Sequence, residues 1–234
     1  ALVATTHTFD VLIGSTPLWF GGEFLKNFTT VLTQGLKAAG GIPVWVMMAN
    51  SLVMALGIAI GKIAISITAA YAIVYFRFPG RELCFVLIFI TLMMPVEVRI
   101  VPTFQVAANL NFIDSYLGLV LPLIASATAT FLYRQMFMTI PAELLEAARI
   151  DGAGPWRFFV DVVLPLSRTN TAALFVVLFI YGWNQYLWPL LVTNQESMYT
   201  IVMGIQRMVN IPDAVPEWNL IMAVALLGML PPLL

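Results

Sequence analysis

The chain has 234 residues, of which 61% are hydrophobic and 10% are charged, and its mean hydropathy is +0.93. Because a soluble domain usually carries about a quarter charged residues, this composition excludes a soluble fold and indicates an integral membrane protein with several spans. The net charge of −1 excludes the large basic field of a nucleic-acid-binding protein. The single cysteine, Cys84, lies in an apolar stretch and is expected to be a buried, inert thiol.

The first 44 residues are mixed in character and are predicted to form an extracytoplasmic segment. Within them, residues 23–34 favour one amphipathic helix outside the bilayer. His7, the only histidine, is expected at the surface. The sequence opens without a methionine and ends inside an apolar run, which predicts a missing span before Ala1 and a last span that is cut short.

Five apolar stretches predict membrane spans and therefore an all-α, polytopic fold. In chain order they cover residues 44–76, 83–95, 117–133, 171–192 and 218 onward. Gly57 and Gly61 lie four residues apart in the first span, a spacing that favours close packing against another helix. Pro95 and Pro102 predict that the second span is short or broken.

The most informative stretch is a polar island between the third and fourth predicted spans, residues 134–168. Its charges and broken backbone would go unsatisfied in lipid, so it is predicted to lie at a membrane surface. There it can be held out to a partner or lie on the bilayer as an ordinary amphipathic loop. The residues alone favour neither a contact with a partner nor a loop that lies on the bilayer.

The island is predicted to contain two short helices. Pro141 suits the first turn of one, and Gly152 suits the left-handed residue that ends it. Pro155 begins the second, which is expected to end at Leu164-Pro165. The apolar anchors expected in the second helix are Trp156, Phe158, Phe159 and Val162.

Basic residues predict the orientation, because they predominate on the cytoplasmic side of membrane proteins. With the island inside, the residues on the cytoplasmic side are Arg77, Arg81, Arg134, Arg149, Arg157 and Arg168. Those on the outer side are then Lys26, Lys37, Arg99 and Arg207. The dense clusters of basic residues therefore lie on the cytoplasmic side, as the predominance of basic residues on that side requires.

The predicted spans hold few ionisable residues. Lys62 lies inside the first span, where it either provides a positive field along a path for an anion or bonds to neighbouring carbonyl groups. Arg99 either meets an anionic solute near the outer mouth or pairs with Glu97. Because buried carboxylates are scarce, transport driven by the chain's own titrating groups is disfavoured, and energy for uphill transport is expected from elsewhere.

Trp183, Asn184 and Gln185 place an aromatic ring and two amides inside an apolar run. They are candidates to bind the hydroxyls and carbon skeleton of a solute, or else to bond to a neighbouring helix. The sequence contains no nucleotide-binding motif, metal-ligand cluster or convincing catalytic triad. We therefore expect neither a catalytic residue nor a cofactor or metal in this chain.

The island also carries a spaced motif that resembles a known family. The motif consists of Glu146, Ala147, Ala148, Gly152, Val162, Leu164 and Pro165. This spacing is similar to the signature loop of permease subunits in binding-protein-dependent ABC importers, where isoleucine is usual at the position of Val162. The resemblance extends from about residue 50 to the end of the chain, and it is to the carbohydrate-type importers.

The resemblance implies a type I ABC importer permease fold in the bacterial inner membrane. Residues 45–234 would form the transmembrane domain, with a cytoplasmic coupling loop at 139–166. The implied partners are a second homologous permease, two copies of an ATP-binding subunit that hold ATP and Mg, an extracytoplasmic solute-binding protein and membrane lipid. The residues implied in coupling to the ATPase are Glu143, Glu146, Ala147, Ala148, Asp151, Gly152, Leu164 and Pro165.

Three further runs suggest the solute: residues 94–100, 126–132 and 181–190. They are most similar to the sn-glycerol-3-phosphate group of this family. The chain is therefore expected to be a non-enzymatic permease for sn-glycerol 3-phosphate, with glycerophosphodiesters as additional candidate solutes. The alternatives are a permease for a neutral sugar or oligosaccharide and, less favoured, a self-sufficient secondary transporter.

Overall fold

The structure, a computed structural model, describes residues 1–35, 40–91, 94, 96–210 and 215–233, except the side chains of Val96 and Glu97. Over these residues the regular structure is helical and contains no strand, so the predicted all-α class is confirmed. The helices are α1 (Phe9–Gly14), α2 (Phe24–Thr33), α3 (Val44–Tyr75), α4 (Arg81–Ile90), α5 (Val96–Asn109), α6 (Tyr116–Val120), α7 (Ala127–Phe137), α8 (Ala142–Ile150), α9 (Pro155–Phe158), α10 (Leu164–Leu166), α11 (Arg168–Trp183), α12 (Leu187–Val192), α13 (Ile201–Val209) and α14 (Trp218–Leu233).

The chain divides into two compact units. The first unit comprises Ala1–Ala55, Ala107–Leu119 and Ile180–Leu234, and the second comprises Leu56–Val106 and Val120–Phe179. Lys62, Arg99 and the whole polar island belong to the second unit.

One helix, α3, is long and apolar enough to cross a membrane by itself. Two pairs of helical segments, each bent at a short break, could each form a further span. The first pair is Tyr116–Leu123 with Ala127–Phe137, bent by 48°, and the second is Pro155–Leu166 with Arg168–Trp183, bent by 71°. The described residues thus show between one and three spans by length and composition. The prediction of five spans stays a prediction.

The fourth predicted span differs from the observed helices, and the second agrees with them in part. The fourth, expected over 171–192, is interrupted because α11 ends at Trp183 and α12 begins only at Leu187. The second is short, as predicted, since α4 ends at Ile90. Pro102, however, lies inside α5 and does not end it, while Pro95 lies outside the described residues.

In the first unit, α14 packs against α2, α13 and the 3-10 turn Ala4–Thr6. His7 is buried there, and its Nε2 lies 2.8 Å from the backbone oxygen of Trp19. The Asn27 amide donates to the His7 carbonyl at 3.0 Å and accepts a bond from Asn219, in the first turn of α14, at 3.2 Å. The prediction of a surface histidine is therefore wrong, because elements distant in sequence enclose it.

The core of the second unit is formed by α3, α7, α9, α11 and the π turn Phe159–Val163. Its buried apolar residues are Ala59, Ile67, Ala70, Tyr71, Ala129, Tyr133, Phe137, Phe158, Phe159, Val163, Leu174 and Leu178. In addition, α4 is attached to α7 by Arg134, whose guanidinium lies 4.1 Å from the centroid of the Phe85 ring and 3.8 Å from a carboxylate oxygen of Glu82.

Cys84 is exposed, so the expectation of a buried thiol is wrong. It lies on α4, a helix described in full in which no residue is buried. The apolar side chains of α4 face outward because lipid is as good an environment for them as a protein core.

The two glycines of α3 allow the close packing that their spacing predicts. A Cβ built on Gly57 would lie 2.9 Å from both γ-methyl groups of Val120, and one on Gly61 would lie 2.5 Å from Cγ2 of Ile124. Because real Cβ atoms do not approach other atoms so closely, these glycines set the spacing between α3 and residues 120–124.

The first prediction concerns this packing. Gly61→Ala is expected to destabilise the protein by about 1–3 kcal/mol, because the new methyl group overpacks the contact with Ile124. Thermal unfolding of the detergent-solubilised protein measures the effect. Gly22→Ala is the matched control, since a Cβ at Gly22 meets nothing within 4 Å. Adding Ile124→Ala should recover part of the loss, and strictly additive effects of the two changes would contradict the packing account.

Candidate functional site

The first helix of the island, α8, ends in a glycine turn of the predicted kind. Gly152 has a φ of +74°, the left-handed region that glycine enters without steric cost. The Ala153 N–H donates to the carbonyl oxygen of Ala148 at 2.8 Å, and the Gly152 N–H donates to that of Arg149 at 3.1 Å. These two bonds satisfy the last carbonyls of α8 and reverse the chain sharply. Pro141 lies one position before the predicted place, as the cap residue of α8.

The second part of the island is a helix that contains a π turn. Pro155 starts α9 as expected, and the chain then continues through the π turn Phe159–Val163 into α10. The prediction that the second helix ends at Leu164-Pro165 is confirmed to within one residue, because α10 ends at Leu166. Pro165 lies in the first turn of α10, where its missing N–H costs no helical hydrogen bond, and the π turn shifts the bonding register ahead of it. The chain bends only between Leu166 and Arg168.

Two tyrosines at the end of α3 hold the island. The Tyr71 hydroxyl donates to the carbonyl oxygen of Pro155 at 2.6 Å, and its ring centroid lies 4.7 Å from that of Phe159. The Tyr75 ring lies 5.3 Å from that of Phe158, and its hydroxyl makes a longer bond of 3.4 Å to the carbonyl oxygen of Phe137. Phe158 and Phe159 are both buried. The island is thus packed onto the last turns of a membrane-crossing helix.

The residues predicted for coupling divide into two sets. The exposed set comprises Glu143, Glu146, Ala147, Asp151 and Gly152. The other set is half-buried and comprises Ala148, Leu164 and Pro165. Of these, Ala148 and Leu164 pack against the core of the second unit. They hold the island in place.

Sequence reasoning missed the two most exposed apolar side chains on the island. Ile150 is 86% exposed and Trp156 is 73% exposed, although Trp156 was expected to be an anchor. Glu143, Ala147 and Ile150 follow helical spacing and share the outward face of α8, so periodicity could have revealed Ile150. Large apolar side chains held out on a rigid surface are typical of contact sites for another protein.

Lys62 and Arg99 are the two path candidates in the second unit whose side chains the structure describes. Lys62 is buried, at 7% exposure, on α3. Arg99 is exposed on α5. The side chain of Glu97 lies outside the described part, so its pairing with Arg99 stays a prediction.

The other three path candidates lie in the first unit. Trp183 is 2% exposed, and its indole N–H donates to the carbonyl oxygen of Gly228 at 2.9 Å. Trp183 therefore bonds to a neighbouring helix, and its candidacy as a solute contact is not supported. Gln185 donates to the carbonyl oxygen of Tyr181 at 3.2 Å. Asn184 is exposed at the break between α11 and α12, and of the three it is best placed to meet a solute.

The chain matches a family profile described as binding-protein-dependent transport system inner membrane component, over residues 62–234. It is 64% identical over 227 residues to the sn-glycerol-3-phosphate transport system permease protein UgpE of Yersinia enterocolitica, covering 97% of this chain and 79% of that protein. It is 56% identical over 225 residues to the protein of the same name from Agrobacterium fabrum, covering 96% and 80%.

A solved structure has the same fold. It is a bacterial ABC transporter involved in the import of the acidic polysaccharide alginate, with a TM-score of 0.84 over 99% of this chain and 84% of that one. The sequence identity is 19%, so the likeness bears on the fold alone.

The second prediction concerns the glycine turn. Gly152→Ala should destabilise the end of α8 by about 1–2 kcal/mol, because a Cβ disfavours the left-handed conformation. Limited trypsin digestion after Arg149 and Arg157, both exposed, should then be faster than in the unchanged protein. Gly154→Ala is the control, since φ at Gly154 is −70° and a Cβ there meets nothing within 4 Å. Equal digestion rates for the two variants would contradict the role of the turn.

Proposed function

The chain belongs to the family of inner-membrane components of binding-protein-dependent transport systems, and we propose that it is the permease subunit of an ATP-driven importer of sn-glycerol 3-phosphate. This family membership confirms the resemblance that was inferred from the motif of the island. It also confirms the predicted ABC importer permease fold. The chain is an integral component of the inner membrane, and it is a permease and not an enzyme.

One observation supports the assignment of sn-glycerol 3-phosphate as the solute. Relatives whose names specify sn-glycerol 3-phosphate share more than half of their aligned residues with this chain over nearly its whole length. Glycerophosphodiesters carry a phosphate group too, so they fall within the same proposal.

The family name implies a solute-binding protein as a partner. We propose that the full assembly also contains a second homologous permease and two copies of an ATP-binding subunit. In this arrangement ATP and Mg bind to the ATP-binding subunits, and this chain holds no cofactor. The exposed face of α8, with Glu143, Glu146, Ala147 and Ile150, would contact one of those subunits.

The packing of the island explains how such a contact can act on the membrane. When the ATP-binding subunits close on ATP, they displace α8. Because Phe158 and Phe159 are buried against Tyr71 and Tyr75, the displacement passes to the end of α3 without being absorbed by a loose loop. The same movement then changes the pathway that α3 helps to form, while Gly152 keeps α8 folded back on the second part of the island.

The third prediction tests the solute. The purified complex in proteoliposomes, supplied with its binding protein, should take up labelled sn-glycerol 3-phosphate only when ATP is present. Its ATPase rate should rise several-fold, corresponding to about 1 kcal/mol in the barrier, when the binding protein carries this solute. Stimulation by a neutral sugar alone would contradict the solute, and uptake without ATP would contradict the importer class.

The fourth prediction tests the transmission from island to span. Tyr71→Phe removes the 2.6 Å hydrogen bond to Pro155 but keeps the ring, at a cost of about 1 kcal/mol. We expect fewer solute molecules imported per ATP hydrolysed, because the island can then shift without moving α3.

Tyr75→Phe is the matched control for this prediction, because it removes only the 3.4 Å bond to Phe137 and should change the ratio less. The measurement is the ratio of uptake to ATP hydrolysis in proteoliposomes. A larger loss for Tyr75→Phe than for Tyr71→Phe would contradict this path of transmission.

A further inference from the structure

The helix from Pro155 to Leu166, the second island helix, has an exposed apolar face that the proposed contact of α8 leaves unused. Trp156 is 73% exposed and Val160 is 39% exposed, and their spacing of four residues places them on the same face. The Trp156 ring lies 5.6 Å from that of Phe159, so this side chain is held in place while most of its surface stays open. Exposed apolar surface of this kind marks a contact with another protein or with a membrane.

Two other faces of the second island helix have a different character. Phe158 and Phe159 are buried and pack onto the tyrosines of α3. Arg157 and Asp161 form an ion pair at 3.2 Å, and their side chains are 73% and 56% exposed. The helix therefore presents one face to protein, one to water and one that is apolar and open. A helix that lies along a membrane surface combines a charged face and an apolar face in this way.

The direction of the second island helix fits such a location. The chain bends by 71° between this helix and α11, the apolar helix that follows it. Transmembrane helices are tilted by about 20° on average from the membrane normal. If α11 crosses the membrane, the second island helix lies close to the membrane plane. The exposed ion pair of Arg157 and Asp161 agrees with this direction, because charged side chains are costly inside the hydrocarbon core.

The length of α3 sets the depth of the second island helix. With its 32 residues, α3 is about 48 Å long, whereas the hydrocarbon core of a bilayer is about 30 Å thick. A helix of this length centred in the core extends about 9 Å beyond it at each end, so Tyr71 and Tyr75 lie among the lipid headgroups. Because the Tyr71 hydroxyl donates to the carbonyl oxygen of Pro155, the start of the second island helix lies at the same depth.

We infer that the second island helix lies in the headgroup layer of the cytoplasmic leaflet and that Trp156 and Val160 bind the lipid surface. Tryptophan is enriched at this depth, because its ring is apolar while its indole N–H can bond to water or to a headgroup. Arg157 and Asp161 then face the cytoplasm. The inference requires that the chain is an inner-membrane component, which its family shows, and it does not depend on the solute.

An ATP-binding subunit is the other candidate partner for this face. The outward face of α8 suits such a subunit, because it carries Glu143 and Glu146 beside Ile150 and lies on the far side of the left-handed turn at Gly152. Trp156 lies instead at the depth that Tyr71 sets, where a soluble subunit would have to displace lipid. Arg168, which is exposed just past the bend, adds a positive charge that anionic headgroups of this leaflet attract.

The inference gives the two parts of the island different partners. The first helix, α8, contacts the ATP-binding subunit, and the second island helix rests on the bilayer. A helix held in the headgroup layer resists movement along the membrane normal and can still slide within the membrane plane. Displacement of α8 is therefore converted into lateral movement of the end of α3.

The test measures what surrounds the apolar face in the complete transporter. A spin label is attached to Val160→Cys, and in a second sample to the neighbouring Asp161→Cys as the matched control, both in a Cys84→Ser background. The transporter is reconstituted in liposomes of phosphatidylethanolamine and phosphatidylglycerol. Collisions of each label with oxygen, which concentrates in lipid, and with a water-soluble nickel chelate are then measured. The Cys84→Ser transporter treated with the same label provides the background from other subunits.

Lipid contact predicts a ratio of oxygen to nickel collisions that is several-fold higher at Val160→Cys than at Asp161→Cys. Protection of the Val160→Cys label from both reagents would show a protein contact and would overturn the inference. Equal ratios at the two positions would show that the face lies in water, and they would overturn it too.

A second set of variants tests Trp156 as the lipid contact. Trp156→Ala, combined with the label at Val160→Cys, should lower the ratio of oxygen to nickel collisions, because the helix then rises toward water. Trp156→Tyr should keep the ratio, since tyrosine also favours the membrane interface. Trp45→Ala removes another exposed tryptophan and should leave the ratio unchanged. An unchanged ratio in Trp156→Ala would contradict the role of this side chain.

Discussion

The packing of four aromatic rings between α3 and the island is the constraint on which the function depends. Tyr71 and Tyr75 lie one turn apart on α3, and their rings contact Phe159 and Phe158. A polar hairpin at a membrane surface has little apolar area with which to resist displacement. Burial of the two phenylalanines provides that resistance, because each fully buried aromatic side chain contributes about 2–3 kcal/mol. The island can therefore transmit force to the membrane.

The helix that carries Tyr71 and Tyr75 also carries the buried Lys62. Tyr71 lies nine residues after Lys62, which corresponds to about 14 Å along the axis of α3. A rigid helix that is pushed at its cytoplasmic end has to move its buried lysine as well. Because Gly61 packs tightly against Ile124, the same motion also reaches the break beside Ser126.

Local sequence signals anticipated the parts of this arrangement that depend on backbone chemistry. The length of α3, the left-handed Gly152 and the start of α9 at Pro155 follow from residue type and spacing. The errors concern residues whose surroundings come from distant segments. His7 is enclosed with the help of α14, and Trp183 bonds to Gly228. No pattern in a single stretch could show these contacts.

The central claim is that the island and the end of α3 move as one body, and a distance measurement tests it most directly. Spin labels on Arg149→Cys and Arg77→Cys, in a Cys84→Ser background, report the separation of α8 from the end of α3, since all three positions are exposed and Arg149 is not among the residues proposed to contact the ATP-binding subunit. The account predicts the same distance distribution in the assembled transporter without nucleotide and with ATP bound. A shift of about 5 Å or more, one helical turn, would contradict it.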